Sequence, residues 1–252
     1  MPGWWKRLEA KARELRPNQS MTVRFPEASK SDLGIMRDVK PYTMTSDERL
    51  WALISAVRYV EARGVPGDIV ECGVWRGGSV MAAAKTLSVL GNHSRTIWLF
   101  DTFEGMSKPT AEDVSLKNGR PADERWEAAR TTDDRAAWCD ASLEDVRANL
   151  GRSEYPMDRF RFVKGKVEDT LRDTTRLPER IALLRLDTDW YLSTKAEMDV
   201  LYPRLAPGGV LILDDYGHWA GSKQAVDEYL AAHGISLLLN RVDRAGRIAV
   251  KA

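Results

Sequence analysis

At 252 residues, the chain is long enough for one α/β domain with a substantial buried core. Its 38 basic residues are balanced by 37 acidic ones, which argues against a nucleic-acid or anionic-membrane partner and favours a small molecule. Cys72 and Cys139 are too few for a disulfide framework and no apolar run could span a membrane, so we expect a reduced, cytoplasmic protein.

Residues 1–40 are predicted to form an arm that precedes a main domain over residues 41–252. Within the arm, residues 4–15 have the apolar stripe of a short amphipathic helix. Such a helix is expected to dock on the body of the protein or on a second subunit, with a position on a membrane surface as the alternative. Residues 16–40 are polar and are predicted to be irregular.

A glycine-rich loop follows the first predicted strand of the main domain. This strand ends at Glu71, and the loop contains Gly73, Gly77 and Gly78 before a helix begins near Val80. Glycine allows a backbone to approach a ligand closely, and the N–H groups at the start of a helix favour anionic groups. The spacing matches neither the dinucleotide-binding nor the P-loop motif, so we predict a nucleotide-binding loop of another kind.

The second predicted strand, residues 96–100, ends in Asp101. A carboxylate at this place can accept hydrogen bonds from both hydroxyl groups of a ribose. Asp101 therefore strengthens the prediction of a nucleotide-type ligand.

A long segment, about residues 104–141, interrupts the alternation of strands and helices. Connections of this length in a compact domain are usually functional or disordered, and Trp126 and Trp138 argue against disorder. We predict a partly helical lid that covers the carboxyl edge of the sheet, excludes water and shapes the substrate cavity.

Two further apolar runs each end in a pair of acids. Residues 181–186 are followed by Asp187 and Asp189, and residues 210–213 are followed by Asp214 and Asp215. The segment between the runs has helical periodicity and is predicted to stop at a turn over residues 207–209. A right-handed strand, helix, strand crossover makes the two strands parallel and brings all four acids to one edge of the sheet.

Ionised carboxylates clustered at this edge require positive charge to offset their mutual repulsion. Two of them about 4 Å apart repel by roughly 4 kcal/mol at an effective dielectric of 20, which predicts a hard divalent cation such as Mg²⁺, Mn²⁺ or Ca²⁺. The alternative is that these acids are helix caps and turn formers. His218, three residues beyond Asp215, is a candidate base or substrate contact, or else a loop histidine bonded to the backbone.

The remaining elements complete an alternating pattern. A helix capped by Thr45 or Ser46 and running to Gly64 opens the main domain. The other predicted elements are a helix over 142–150, a strand over 160–164 with a turn over 165–169, a helix over 222–233, and a closing hairpin of strands 235–240 and 247–251.

Five short strings in this layout resemble those of class I S-adenosylmethionine-dependent methyltransferases, and specifically the macrocin O-methyltransferase (TylF-like) family. The strings are PYTMT at 41–45, ECGVWRGGS at 71–79, LFDTFEGM at 99–106, LDTD at 186–189 and LDDY at 213–216. The resemblance covers the chain from about residue 38 to the end. It implies a Rossmann-like, mostly parallel seven-stranded sheet, with an antiparallel strand in the C-terminal hairpin, helices on both faces and an inserted lid.

The resemblance also implies Mg²⁺-dependent methyl transfer from S-adenosylmethionine to a hydroxyl of a sugar, saccharide or phenolic natural product, often by a homodimer. Asp187, Asp214 and Asp215 would bind the metal, and Asp189 would be the general base. The implied cofactor-binding residues are Met44, Glu71, Gly73, Gly77, Gly78, Ser79, Asp101, Phe103, Gly165, Val167 and Asp187. Because two adjacent hydroxyls would chelate the cation, a vicinal diol is the expected acceptor.

Three rival hypotheses use some of the same residues. A Mg²⁺-dependent phosphohydrolase also has paired acids after two strands, but the chain between Asp189 and Asp214 leaves little room for its lysine-bearing segment. A D-x-D glycosyltransferase would leave the loop over residues 73–78 unexplained. A non-catalytic S-adenosylmethionine-binding module would have no use for a proton-accepting Asp189.

Overall fold

The computed structural model describes residues 20–252, so the amphipathic helix predicted over residues 4–15 lies outside the described part. A seven-stranded sheet forms the centre, with strand order β5-β2-β1-β6-β7-β9-β8, and β3 and β4 form a separate hairpin. The strands are β1 (Asp68–Cys72), β2 (Ile97–Asp101), β3 (Met106–Ser107), β4 (Arg135–Ala136), β5 (Phe160–Lys164), β6 (Ile181–Leu186), β7 (Leu205–Leu213), β8 (Asn240–Arg241) and β9 (Arg247–Val250).

Helices cover both faces of the sheet. They are α1 (Met21–Arg24), α2 (Lys30–Val39), α3 (Asp47–Ala62), α4 (Gly78–Val89), α5 (Ala122–Ala128), α6 (Leu143–Leu150), α7 (Val167–Thr170), α8 (Tyr191–Val200) and α9 (Ala220–Ala232). Short 3₁₀ turns occupy Lys40–Tyr42, Met157–Arg159, Thr174–Arg176 and Tyr202–Arg204. Across residues 20–252, every helix is too short or too polar to cross a lipid bilayer.

Two apolar cores lie on opposite faces of the sheet because successive strand residues point to opposite sides. In β1, Ile69 packs with α2, α3, α4 and α6, whereas Val70 packs with α7, α8 and α9. All six residues of β6 are buried, as expected for a central parallel strand. Strands β5, β2, β1, β6 and β7 are parallel, and β9 is antiparallel to β7, which confirms the predicted fold class.

The prediction of a turn over residues 207–209 was wrong. These residues lie within β7, and the register of β7 against β6 shifts between Ile181 and Leu183. Gly208 has a positive φ of 77° and its N–H donates to the carbonyl of Lys251 at 2.7 Å. Residues 207–209 therefore form an irregular part of β7, and not a turn, because they pair with the C-terminal end of the chain.

Two other boundaries also differ from the prediction. Residues 235–239 are not a strand, because only Asn240–Arg241 pairs with β9. Part of the segment predicted to be irregular, residues 16–40, forms α2, whose Ser29 and Asp32 make a reciprocal capping box. By contrast, Ser46 caps α3 as predicted, since its side chain accepts from the N–H of Arg49.

The segment of residues 104–141, called the insertion below, packs through a tryptophan cluster onto the carboxyl edge of the sheet. The cluster comprises Trp126 and Trp138 of the insertion together with Trp190 and Trp219, which follow β6 and β7. The ring centroids of Trp138 and Trp190 lie 5.6 Å apart, and those of Trp190 and Trp219 lie 5.1 Å apart. The insertion thus rests on both loops that carry the paired acids.

A buried carboxylate also holds the insertion in place. Asp113 is 1% exposed and accepts hydrogen bonds from the N–H of Tyr191 at 2.8 Å and the N–H of Thr110 at 2.7 Å. The N–H of Ala220 donates to the carbonyl of Val114 at 2.8 Å. These bonds join the insertion to the first turns of α8 and α9.

Replacing Asp113 by Ala should loosen the insertion, because the partly buried N–H groups of Thr110 and Tyr191 would lose their acceptor. We expect Asp113→Ala to lower the free energy of unfolding by about 1–3 kcal/mol and to speed proteolysis within residues 104–141. Asp133→Ala, at an exposed position of the same insertion, is the matched control. Urea unfolding and mapped limited proteolysis measure both effects, and equal behaviour of the two variants would contradict the anchoring role.

Candidate active site

Two adjacent cavities open at the carboxyl edge of the parallel strands. The wider one has a volume of about 240 Å³ and the narrower one about 60 Å³, and Asp187 lines both. The wider cavity is lined by Thr43, Met44, Thr45, Arg49, Glu71, Val74, Trp75, Ser79, Arg125, Trp138, Cys139, Asp187, Asp189, Asp214, Asp215, His218 and Trp219. The narrower cavity contains Gly73, Asp101, Gly165 and Val167 in its wall. Most of the predicted site residues therefore share one edge.

The glycine-rich loop brings three segments into close contact. Gly73 has a φ of 81°, and a Cβ atom at this position would overlap the carbonyl of Asp187. A Cβ atom on Gly78 would lie 2.6 Å from the carbonyl oxygen of Tyr42. Gly77 and Gly78 line neither cavity. Gly78 lets the first turn of α4 approach the backbone of Tyr42, and Gly77 provides the positive φ of 86° that precedes this helix.

A group of hydroxyls stands beside the first turn of α4. The Ser79 Oγ atom lies 3.5 Å from the hydroxyl oxygens of both Thr43 and Thr45. Met44, between these two threonines, is 60% exposed at the wall of the wider cavity. Hydroxyls and free N–H groups at a helix N-terminus form a site suited to a carboxylate.

Asp101 connects two loops. Its carboxylate accepts from the N–H groups of Val74 at 2.6 Å, Trp75 at 3.1 Å and Phe103 at 2.7 Å. The side chain of Phe103 is 2% exposed and packs against Phe162, so it lies in the apolar core and lines neither cavity. Asp101 remains in the wall of the narrower cavity, but most of its hydrogen-bonding capacity is used by main-chain amides.

Three of the four predicted acids form a compact cluster. One carboxylate oxygen from each of Asp187, Asp214 and Asp215 lies within 4.8 Å of the others. These residues follow the last residues of β6 and β7, which are parallel neighbours. The parallel register of β6 and β7 therefore brings the three carboxylates together.

The fourth acid is held at the rim of this cluster. Asp189 has a left-handed backbone with φ of 68°, its N–H donates to Asp215 Oδ2 at 3.1 Å, and its Oδ1 accepts from the indole of Trp219 at 2.7 Å. The hydroxyl of the preceding Thr188 donates to the buried Glu197 at 2.9 Å. A strained conformation held by several bonds is typical of a functional position.

Sequence reasoning missed the internal counter-ion of the cluster. Arg185, 2% exposed near the end of β6, donates to Glu71 at 2.8 Å and to Asp214 at 2.7 Å, and lies 2.8 Å from a carboxylate oxygen of Asp187. Arg49 of α3 pairs with the other oxygen of Asp214. An arginine within the apolar string IALLRL was the available signal, because a buried charge requires partners.

The internal arginines are fewer than the acids of the site. Five acids line the wider cavity, and the three nearby arginines, Arg49, Arg125 and Arg185, would leave a formal charge of −2 with all groups ionised. Burial is the main reason that the pKa values of Asp187 and Asp215 are raised, and burial together with the Asp187 carboxylate raises the pKa of Asp189 to about 7. An all-oxygen cluster with this charge fits a hard divalent cation such as Mg²⁺.

His218 lies beside the acids in the wall of the wider cavity. An N–H of Arg244 lies 3.3 Å from its Nδ1, and the imidazole ring centroid is 4.9 Å from that of Trp219. Burial, followed by the Arg244 charge, lowers its pKa. Because a guanidinium can only donate, Nδ1 is the acceptor and the neutral ring carries its proton on Nε2. In this tautomer, Arg244 occupies Nδ1 and Nε2 is a hydrogen-bond donor.

Replacing Arg185, the internal counter-ion, should destabilise the folded protein. In Arg185→Met, Glu71 and Asp214 would stay buried without their shared cation, so we expect the free energy of unfolding to fall by about 3–5 kcal/mol. Arg172→Met is the control, because the Arg172 side chain is 79% exposed and its pair with Asp169 should contribute less than ~1 kcal/mol. Urea unfolding of both variants checks this, and a small loss in Arg185→Met would refute the counter-ion role.

Comparison with known proteins agrees with this geometry. The family model described as Macrocin-O-methyltransferase (TylF) matches residues 3–250. A Streptomyces olivaceus protein, 8-demethyl-8-(2,3-dimethoxy-alpha-L-rhamnosyl)-tetracenomycin-C 4'-O-methyltransferase, is 36% identical over 221 residues, which cover 88% of this chain and 80% of that protein. Mycinamicin III 3''-O-methyltransferase from Micromonospora griseorubida is 37% identical over 205 residues, covering 81% of this chain and 76% of that protein.

A solved structure shows the same architecture. The O-methyltransferase NovP superposes with a TM-score of 0.72 at 32% identity, and the match covers 84% of this chain and 82% of NovP. Family model, relatives and structure point to one activity, methyl transfer to oxygen. The chain belongs to the macrocin O-methyltransferase (TylF) family and is an S-adenosylmethionine-dependent O-methyltransferase.

Proposed function

We propose that the enzyme methylates a hydroxyl of a saccharide or of a glycosylated natural product, and that Asp187, Asp214 and Asp215 hold a Mg²⁺ ion beside that hydroxyl. The observation that carries the proposal is the compact carboxylate cluster in a cavity whose rim holds Asp189. The names of two relatives support the acceptor class, since one names a rhamnosyl tetracenomycin and the other mycinamicin III.

The cofactor would lie across the two cavities that meet at Asp187. Asp101, Gly165 and Val167, which line the narrower cavity, would surround the adenosine part. Ser79, which lines the wider cavity at the first turn of α4, would bind the carboxylate of the methionine part. When bound, S-adenosylmethionine supplies an electrophilic methyl group, and the enzyme's contribution is to orient the acceptor oxygen toward it.

The acid cluster and its neighbours suit the proton transfer that must accompany alkylation of an alcohol. Asp187, Asp214 and Asp215 would hold a divalent cation, whose positive charge would lower the pKa of an acceptor hydroxyl, which favours a vicinal diol as the acceptor. Asp189 would accept the proton, because the Trp219 indole holds its carboxylate at the rim of the cluster, next to the proposed position of the hydroxyl. His218 would orient the acceptor through its Nε2–H.

Metal removal should separate catalysis from cofactor binding. We expect EDTA to abolish methyl transfer while the affinity for S-adenosylhomocysteine, measured by calorimetry, changes less than about threefold, because the predicted cofactor contacts lie mostly outside the carboxylate cluster. Addition of Mg²⁺ in excess of the chelator should restore turnover. Full activity in EDTA would remove the cation from the mechanism.

Replacing the proposed base should affect chemistry more than binding. We expect Asp189→Asn to lower kcat by about 10²–10⁴-fold, the usual contribution of a general base, with S-adenosylhomocysteine affinity preserved. His218→Gln retains an N–H donor and should lose much less. Asp199→Asn, at a half-exposed position on α8, is the control for loss of a carboxylate. A wild-type rate for Asp189→Asn together with an inactive His218→Gln would move the base to His218.

A further inference from the structure

A third cavity opens directly outside the wider one. It has a volume of about 480 Å³, and its wall includes Lys117, Arg120, Glu124, Arg125, His218 and Trp219. We call this space the cationic vestibule. Arg125, His218 and Trp219 also line the wider cavity, so the two cavities are neighbours that share one wall. The vestibule therefore lies beside the cavity that holds the acids.

The vestibule has the opposite charge character to the cavity behind it. Lys117, Arg120 and Arg125 stand against a single acid, Glu124, and Arg244 approaches the shared His218. Within the described chain, none of these four cations has a carboxylate oxygen within 4.0 Å, whereas buried Arg49 and Arg185 do. Their charge is thus not consumed by internal ion pairs. Unpaired arginine and lysine around a cavity are suited to phosphate and carboxylate groups.

Main-chain bonds hold these cations at a fixed place beside the acceptor cavity. The N–H of Leu116 donates to the carbonyl of His218 at 2.8 Å, and the N–H of Ser115 donates to the carbonyl of Arg120 at 2.9 Å. Lys117 and Arg120 therefore lie on a tight loop that is bonded to the segment after β7. Such a loop can present its charges to a ligand without first having to be ordered.

We propose that the acceptor is a saccharide that carries an oxyanion, a phosphate or a carboxylate, and that this group binds in the cationic vestibule while the reacting hydroxyl lies beside Asp187 and Asp189. This proposal rests on the proposed function, because it uses the same acceptor cavity. The acidic cavity selects the hydroxyl-bearing ring, and the vestibule selects the charge attached to it. The charge also steers the acceptor toward a cavity whose own acids would repel a free anion.

A matched acceptor panel tests this. One hexose is supplied as its methyl glycoside, its 1-phosphate, its nucleoside diphosphate derivative and its uronic acid, and kcat/KM is measured from labelled methyl transfer. We expect the preferred anionic acceptor to exceed the methyl glycoside at least tenfold. That advantage should shrink between ~0.01 M and ~0.3 M salt because exposed charges are screened. The phosphate and uronic acid arms distinguish the two sources of the oxyanion.

Charge reversal provides the second arm. Lys117→Glu and Arg120→Glu should each lower the ratio of anionic to neutral kcat/KM about tenfold or more. Arg176→Glu makes the same charge change on an 86% exposed side chain that precedes β6, at the opposite edge of the sheet, and should leave the ratio unchanged. Equal use of neutral and anionic acceptors by the wild-type enzyme, or an unchanged ratio in both vestibule variants, would overturn the vestibule assignment alone. Failure to methylate any acceptor while S-adenosylhomocysteine still binds would overturn the proposed function.

Discussion

The arrangement of the site depends on one buried guanidinium. Arg185 contacts Glu71 at the end of β1, Asp214 after β7 and the hydroxyl of Thr45 before α3, so a single side chain of β6 joins three separate segments. Burying a charge costs several kcal/mol, and this cost is offset only when the partners and their geometry are complete. The network therefore requires the strand tips to meet in one register, and that register is what gathers the acids.

The same network explains why the insertion is built as it is. A cluster of acids in low dielectric is useful only where water is kept away, because solvent weakens every charge interaction in the site. Trp138 of the insertion and Trp219 after β7 line the cavity that holds the acids, and the indole of Trp219 also bonds to Asp189. Trp219 thus adds apolar surface to the cavity wall and also orients Asp189. Asp113 bonds the insertion to the first turn of α8.

Local signals predicted much of this fold. The bounds of β6 and the cap of α3 follow from an apolar run and a capping residue, which act over a few neighbouring positions. Family membership then sets aside the phosphohydrolase, glycosyltransferase and non-catalytic hypotheses. Non-local pairing could not be predicted in the same way. Gly208 lies in a strand because Lys251 pairs with it, and Phe103, within a string typical of the family, turns its side chain into the core.

In the candidate site, too, some features follow from local sequence signals and others depend on non-local contacts. Strand-end acids are visible in the sequence, and their meeting follows from parallel topology. Repulsion among the acids does not by itself require a cation, because Arg185 and Arg49 supply part of the compensating charge from within the protein. The partner of each arginine depends on which carboxylates its side chain can reach across the sheet. A single sequence contains no pattern that predicts these partners.

Arg185 and Arg49 orient the acids but leave some of the lone pairs on the carboxylate oxygens unused. Both oxygens of Asp214 engage arginines, but a carboxylate offers about four lone-pair positions, so each oxygen retains a free one. Asp215 is bonded through one oxygen to the N–H of Asp189 and has no arginine within ion-pair distance in residues 20–252. Arg185 and Arg49 thus fix the orientation of the cluster, and the capacity left on Asp187 and Asp215 faces the cavity. The proposed cation would therefore bind without displacing the contacts that hold the strands in register.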